Sequence, residues 1–208
     1  MAAQIEAVLF DLGNVLTLFS HDRMVDQMAA ACGVSPAELR VEYIDGGVSA
    51  SFERGLLSPD ELVSWARTTF ECAVTPDALR IACADIFTPN VGMGSLLDAI
   101  RAHRPSVRLV VISNTCCWHV DWVSTHDTVL SRFDAIATSW EVGELKPHPA
   151  LYQRAIELAG VAASKCFYTD DIPAYVAAGA ALGLDAEIFV DNATLSDHLR
   201  ARDLLPGA

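Results

Sequence analysis

The side chains in this sequence best placed to do chemistry follow apolar runs or lie in the turns between them. Asp11 follows VLF, Ser113-Asn114 follow RLVVI, and Asp170-Asp171 follow KCFYT. Lys146 lies between the last two, in GELKP. A short apolar run ended by turn residues reads as a buried strand. If the strands are parallel, their carboxyl ends share one edge, the edge where open α/β sheets hold ligands. The set would then converge as carboxylates, a hydroxyl, an amide and an ammonium. Such a set suits a hard cation together with an anion. Two or three carboxylates bind magnesium through oxygen and leave coordination sites for water and a substrate phosphate. Asp11 can then act as nucleophile, forming an acyl phosphate that water hydrolyses. Ser113, Asn114 and Lys146 would bind the phosphoryl group.

Each group also has a plainer reading. Asp11 can close a turn through its own side chain, and Asp170-Asp171 can cap the helix that begins near Ile172. Ser113-Asn114 can be a strand-to-helix turn, and Lys146 a solvated loop lysine. Their joint placement at successive strand ends favours the chemical reading.

The elements that must position these groups fall into two patterns. From Pro89 onward strands and helices alternate. Strands are expected at Arg108–Ile112, Ala135–Thr138, Lys165–Thr169 and Glu187–Val190, in addition to Ile5–Phe10. Helices are expected at Gly94–His103, Trp118–Leu130, Ala150–Ala159, Ile172–Leu182 and Leu195–Arg202. That alternation implies parallel pairing, right-handed crossovers and a three-layer α/β sandwich. From about Phe19 to Thr88 the spacing is helical and no strand is evident. Ser35-Pro36, Ser58-Pro59 and Thr75-Pro76 each place an N-cap residue before a proline at the first helical position. The expected architecture is a Rossmann-like, mainly parallel α/β domain over residues 1–18 and 89–208, with a small all-helical unit over 19–88 inserted after the first strand. Such an insertion would stand over the ligand edge of the sheet as a lid.

Composition narrows the partners. The chain has 208 residues, is 52% hydrophobic and carries a formal charge of −13. The hydrophobic share is enough for a packed core. The acidic balance repels nucleic-acid phosphates and anionic membrane surfaces. No apolar run reaches the ~20 residues of a membrane-spanning helix, and MAAQIEAVLFDLG lacks a basic start and a long apolar run, so no signal peptide is expected. The six cysteines show no CxxC pair and no metal spacing, and adjacent Cys116 and Cys117 are expected as thiols. A cytoplasmic location and a monomer or homodimer are the matching expectations.

The motifs VLFDLGNVL, VVISN, GELKPHPALYQRA and FYTDDIPAYVAAGAALG, in that order, resemble the four motifs of the haloacid dehalogenase (HAD) superfamily over essentially the whole chain. The helical insert resembles a type C1 cap, and the DLGNV form resembles a branch of glucose-1-phosphatase-like enzymes. The resemblance implies Asp11 as nucleophile, Ser113 and Lys146 on the phosphoryl group, and Mg²⁺ held by Asp11, the Gly13 carbonyl and Asp170. Asp171 is implied to support the metal. It further implies a Mg-dependent phosphatase acting on a small phosphorylated metabolite such as a sugar phosphate. The alternatives are a metal-independent 2-haloacid dehalogenase, which lacks the acidic pair, and a non-catalytic binding protein on this fold. The sequence departs from the pattern at Gly13, where most phosphatases of the family carry a second Asp as acid/base. Asp171, His119 or a residue of the helical insert could supply the proton instead; alternatively, a good leaving group needs less help, or the protein mainly binds.

Overall fold

A computed structural model of the chain describes residues 4–207. The start of the segment read for a signal peptide, residues 1–3, lies outside it, as does residue 208. Seven strands occur among the described residues: β1 (Ala7–Phe10), β2 (Thr17–Phe19), β3 (Phe87–Pro89), β4 (Arg108–Ser113), β5 (Ala135–Thr138), β6 (Cys166–Asp170) and β7 (Asp185–Ile188). Five of them form a fully parallel sheet in the order β5-β4-β1-β6-β7. β1 is central, flanked by β4 and β6.

The runs VLF and LVVI show no polar alternation because both faces of the sheet are covered. Val8 and Phe10 of β1, with Leu109 and Val111 of β4, face one apolar layer. That layer is completed by Met93, Leu97 and Ile100 of α6 (Met93–His103) and by Leu195 and Leu199 of α11 (Asn192–Ala201). Ala7 and Leu9, with Val110 and Ile112, face the other, where Leu151, Tyr152 and Ala155 of α9 (Pro149–Ala159) pack. The expected three-layer α/β sandwich is therefore the observed one. Some elements of the alternating half differ in extent from the reading. The segment Trp118–Leu130 divides into α7 (Cys117–His126) and a 3₁₀ turn at Val129–Arg132, a short helix α8 (Ser139–Val142) follows β5, and the last strand begins at Asp185.

Between β2 and β3 lie the helices α1 (His21–Cys32), α2 (Pro36–Leu39), α3 (Val48–Glu53), α4 (Pro59–Thr69) and α5 (Pro76–Ala84), with a π-helical turn at Arg40–Asp45. The three serine or threonine caps form as expected. Ser35 accepts from the Glu38 N–H, Ser58 from Glu61 and Thr75 from Ala78, each with proline in the first turn. Glu61 also accepts from the Ser58 N–H, closing a reciprocal cap. These helices share a core of Met24, Met28, Leu39, Tyr43, Phe52, Leu62 and Leu79, which runs on to Cys116 and Trp118 at the start of α7.

The sequence reading missed the stem of this unit. Antiparallel β2 and β3 pair Thr17 with Pro89 and Phe19 with Phe87. Strands this short carry too few residues to show a period of two, and their pairing partners are separated by the whole helical unit.

Gly179 of α10 (Pro173–Ala181) lets the helix lie against β6. A Cβ there would stand 2.7 Å from Tyr168 Cδ1, and Tyr168 is fully buried. Gly179→Ala gains about 1 kcal/mol of helix propensity but overpacks that contact, which costs about 1–3 kcal/mol. Urea denaturation should show a net loss of stability.

Candidate active site

The register of the sheet assembles the site. Phe10 pairs with Val111 on one side and Thr169 on the other. The next residue on each strand therefore brings Asp11, Ile112 and Asp170 level, on strands about 4.8 Å apart. The Asp11 N–H continues the ladder, donating to the Thr169 carbonyl at 3.1 Å.

Lys146 reaches into this edge from the turn before α9. Its Nζ donates to Asp11 Oδ1 at 2.6 Å, to Asp170 Oδ2 at 2.6 Å and to the Ile112 carbonyl at 3.2 Å. The residue is 3% exposed, so the plain reading of a solvated loop lysine is excluded. Asn114 holds it there. Its Oδ1 accepts from the Lys146 N–H at 2.6 Å, and its Nδ2 donates to the Lys146 carbonyl at 3.2 Å and the Tyr175 hydroxyl at 3.3 Å. Asp170 is fully buried and also accepts from the Tyr168 hydroxyl and the Ile172 N–H. The last bond is the helix-entry role that the plain reading proposed, made by the same carboxylate that holds Lys146.

Asp171 is half-buried and accepts from Asn14 Nδ2 at 3.3 Å. Asn14 makes the turn after Asp11 in the left-handed region, φ 57°, which asparagine tolerates. One oxygen from each of Asp11, Asp170 and Asp171 lies within 4.8 Å of the others. Gly13 sits in the same turn. A Cβ at Gly13 would stand 2.7 Å from Phe19 Cε1, so the Phe19 ring fills the space a side chain would take.

Electrostatically the edge holds more anion than cation. Burial pushes the Asp11 carboxyl up to about 7, against the pull of Lys146, and Asp170 adds to the rise. Burial also raises Asp171, with the Asn14 bond opposing. Burial alone would lower the Lys146 ammonium, but Asp11 and Asp170 outweigh it and hold it above its ordinary value. A divalent cation fits such a donor set. It is oxygen-only, carboxylate-rich and short of positive charge.

Asp11, Gly13, Asn14, Lys146 and Asp171 line one cavity of about 180 Å³, roofed by the helical unit, with Asp170 buried behind it. Ser113 and Asn114 line it, as do Phe19, His21, Glu53, Phe87, Thr115, His119 and Tyr175. The Lys146 Nζ lies 5.1 Å from the centre of the Tyr175 ring. His119 is buried; its Nε2 faces the Cys83 carbonyl at 3.2 Å. Cys116 is buried and Cys117 half-buried, both free thiols. Glu53, Tyr175 and Asn14 were not singled out from the sequence. The Asn-containing turn after Asp11 was the available sign for Asn14; nothing local marks Glu53.

The family model for haloacid dehalogenase-like hydrolases matches residues 5–183. The chain belongs to that family. Within it, the chain is 26% identical over 188 residues to a D-ribitol-5-phosphate phosphatase of Bacteroides thetaiotaomicron, covering 87% of this chain and 90% of that one. Among solved structures, a HAD family enzyme of Bacteroides thetaiotaomicron superposes with a TM-score of 0.81 at 22% identity, over 95% of this chain and 100% of that one. The same enzyme in complex with magnesium and inorganic phosphate gives 0.75 at 22% identity, over 90% and 96%. A HAD-like hydrolase of Porphyromonas gingivalis gives 0.78 at 23% identity, over 95% and 99%. These structural likenesses establish the fold of this HAD-like hydrolase.

Glu53 gives the site a pH signature in stability. Burial pushes its carboxyl up to about 7, with His119 opposing. A carboxyl raised in the folded state binds its proton more tightly there than in the unfolded chain. Its contribution is therefore present at low pH and is lost as pH rises from about 4.5 to above 7. Glu53→Gln removes that loss. Urea unfolding should show the variant gaining on the wild type by about 1–3 kcal/mol between pH 5 and pH 8.

Proposed function

We propose that this HAD-like hydrolase is a magnesium-dependent phosphatase acting through a phospho-aspartate at Asp11. The observation that carries the reading is the buried triangle in which Lys146 bridges Asp11 and Asp170 with Asp171 beside them. Asp11, Asp170, Asp171 and the Gly13 carbonyl are the residues that would hold Mg²⁺. When bound, the ion supplies Lewis-acid neutralisation of phosphoryl charge.

The protein's own residues carry the steps. Asp11 attacks phosphorus, and its position at the end of a central strand fixes the direction of approach. Lys146 and the Ser113 hydroxyl bind phosphoryl oxygens and offset the charge of the transition state. Asn114 fixes the main chain of Lys146 and borders the phosphate. The acid pair Asp170-Asp171 sets this reading apart from metal-independent dehalogenation.

The same reading divides the chain into a core over residues 1–18 and 89–208 and a cap over 19–88. The β2–β3 stem supports a boundary at those positions. Capping of the site leaves space for a small substrate, and the likeness to a D-ribitol-5-phosphate phosphatase supports a sugar or polyol phosphate.

Asp11→Asn should reduce hydrolysis of ribitol 5-phosphate to background while the protein stays folded. EDTA should do the same to the wild type, with recovery on adding magnesium chloride. Phosphate-release assays check both; turnover surviving either treatment contradicts the proposal. Magnesium should also raise the melting temperature of the wild type, in proportion to its occupancy of the folded state, and do so less for Asp170→Asn.

A further inference from the structure

An alkyl phosphate leaves as an alkoxide, which needs a proton as its bond to phosphorus breaks. Protonation of this kind is typically worth about 10²–10⁴ in rate. Position 13 supplies no such group, because it is glycine and the Phe19 ring occupies the adjoining space. The other titratable groups that line the cavity are accounted for. Asp11 is the nucleophile, and Asp171 is bonded to Asn14 in the metal set. The Lys146 ammonium is held by two carboxylates that bind its proton more firmly. His21 is shifted down, chiefly by burial and then by His119, so near neutrality it is an uncharged ring, and it lies edge-on to Phe19. The His119 Nε2 faces the main chain of Cys83. Tyr175 is shifted up by burial.

Glu53 remains. It ends α3 and lines the same cavity as Asp11, Ser113 and Lys146. Among the described residues its carboxylate takes no hydrogen bond and no ion pair, whereas its main chain is fastened to the core. The Ser139 hydroxyl donates to the Glu53 carbonyl at 2.7 Å and accepts from the Thr115 N–H at 2.9 Å. Next door, Arg54 donates to the Gly143 carbonyl at 3.0 Å and to Glu144 at 3.1 Å. Gly55, at φ +66°, lies so close to the Trp140 carbonyl that a Cβ would stand 2.4 Å from it. A side chain left free on a main chain clamped this firmly is a positioned group facing the substrate space.

We infer that Glu53, carried by the helical unit, is the proton donor to the leaving oxygen and afterwards the base for water. The inference rests on the phosphatase reading given above. In the first step an Asp11 oxygen bonds to phosphorus. The phosphorus–oxygen bond to the substrate breaks, its electron pair stays on the leaving oxygen, and the Glu53 proton moves to that oxygen. The products are the alcohol, the phospho-aspartate and a Glu53 carboxylate. In the second step water attacks phosphorus and gives a proton to Glu53. The bond to Asp11 breaks, releasing inorganic phosphate and restoring both carboxyl groups. Burial, which favours the protonated carboxyl near neutrality, supports the first role. The titratable groups near Glu53 are His119, Cys83, Cys116 and Tyr43, with Tyr175 across the cavity.

The test compares leaving groups in the magnesium-loaded enzyme. Ribitol 5-phosphate needs protonation, whereas p-nitrophenyl phosphate leaves as a stable anion. Glu53→Gln should lower kcat/KM for ribitol 5-phosphate by about 10²–10⁴ and leave kcat/KM for p-nitrophenyl phosphate nearly unchanged. The variant should also release a burst of one nitrophenolate per enzyme, because hydrolysis of the phospho-aspartate is slowed. Activity on the aryl ester shows that the variant is folded. An equal loss on both esters, no loss on either, or the same selective loss in His119→Gln but not in Glu53→Gln overturns the assignment. A wild type that hydrolyses neither ester overturns the phosphatase reading itself.

Discussion

The site depends on one ammonium bound by two carboxylates out of water. Lys146 bridges Asp11 and Asp170 at 2.6 Å each, with both contacts almost wholly buried. Isolated charges in such a place are costly, and a buried pair is tolerated only when its geometry is good and its remaining hydrogen bonds are made. The surrounding structure meets that condition. Tyr168, the Ile172 N–H and the Ile112 carbonyl complete the hydrogen bonding, and Asn114 fixes the lysine main chain from both sides. One positive charge among three carboxylates leaves the edge electron-rich, which is the state a divalent cation would complete.

The sheet edge under that arrangement and the roof above it are built by different parts of the chain. The strands under the site are apolar on both faces, and their register places Asp11 and Asp170 side by side. The roof comes from a helical unit with its own core, tied down by a two-stranded stem and by contacts around Ser139, Arg54 and Gly55. Its apolar contents join the sheet domain through Phe52, which packs edge-on against Trp118 and Trp140. Cavity chemistry is thereby divided: the sheet edge holds the carboxylate–lysine group, the helices bring Glu53 and His21 over it, and the stem brings Phe19.

Much of this was legible in the chain. The doubly covered sheet followed from uninterrupted apolar runs, and the three proline-started helices followed from cap chemistry that acts within four residues. Asp11, Ser113, Lys146 and Asp170 were legible as a group because parallel strands end on a common edge. The β2–β3 stem was not, since three-residue strands have no readable period. The Asn114 clamp on Lys146 was not, since it joins positions 32 residues apart.

The sequence by itself determined the family, the order of the elements in the parallel-sheet domain and the candidate site carboxylates, because these rest on local patterns. Only the tertiary structure decided what surrounds Gly13 and which group faces the site from above. The Phe19 ring fills the place beside Gly13 because the stem folds it back there, and Glu53 enters the cavity because Ser139 and Arg54 pin the end of its helix. Both outcomes depend on contacts between segments that are distant in the chain, and no spacing within either segment encodes them.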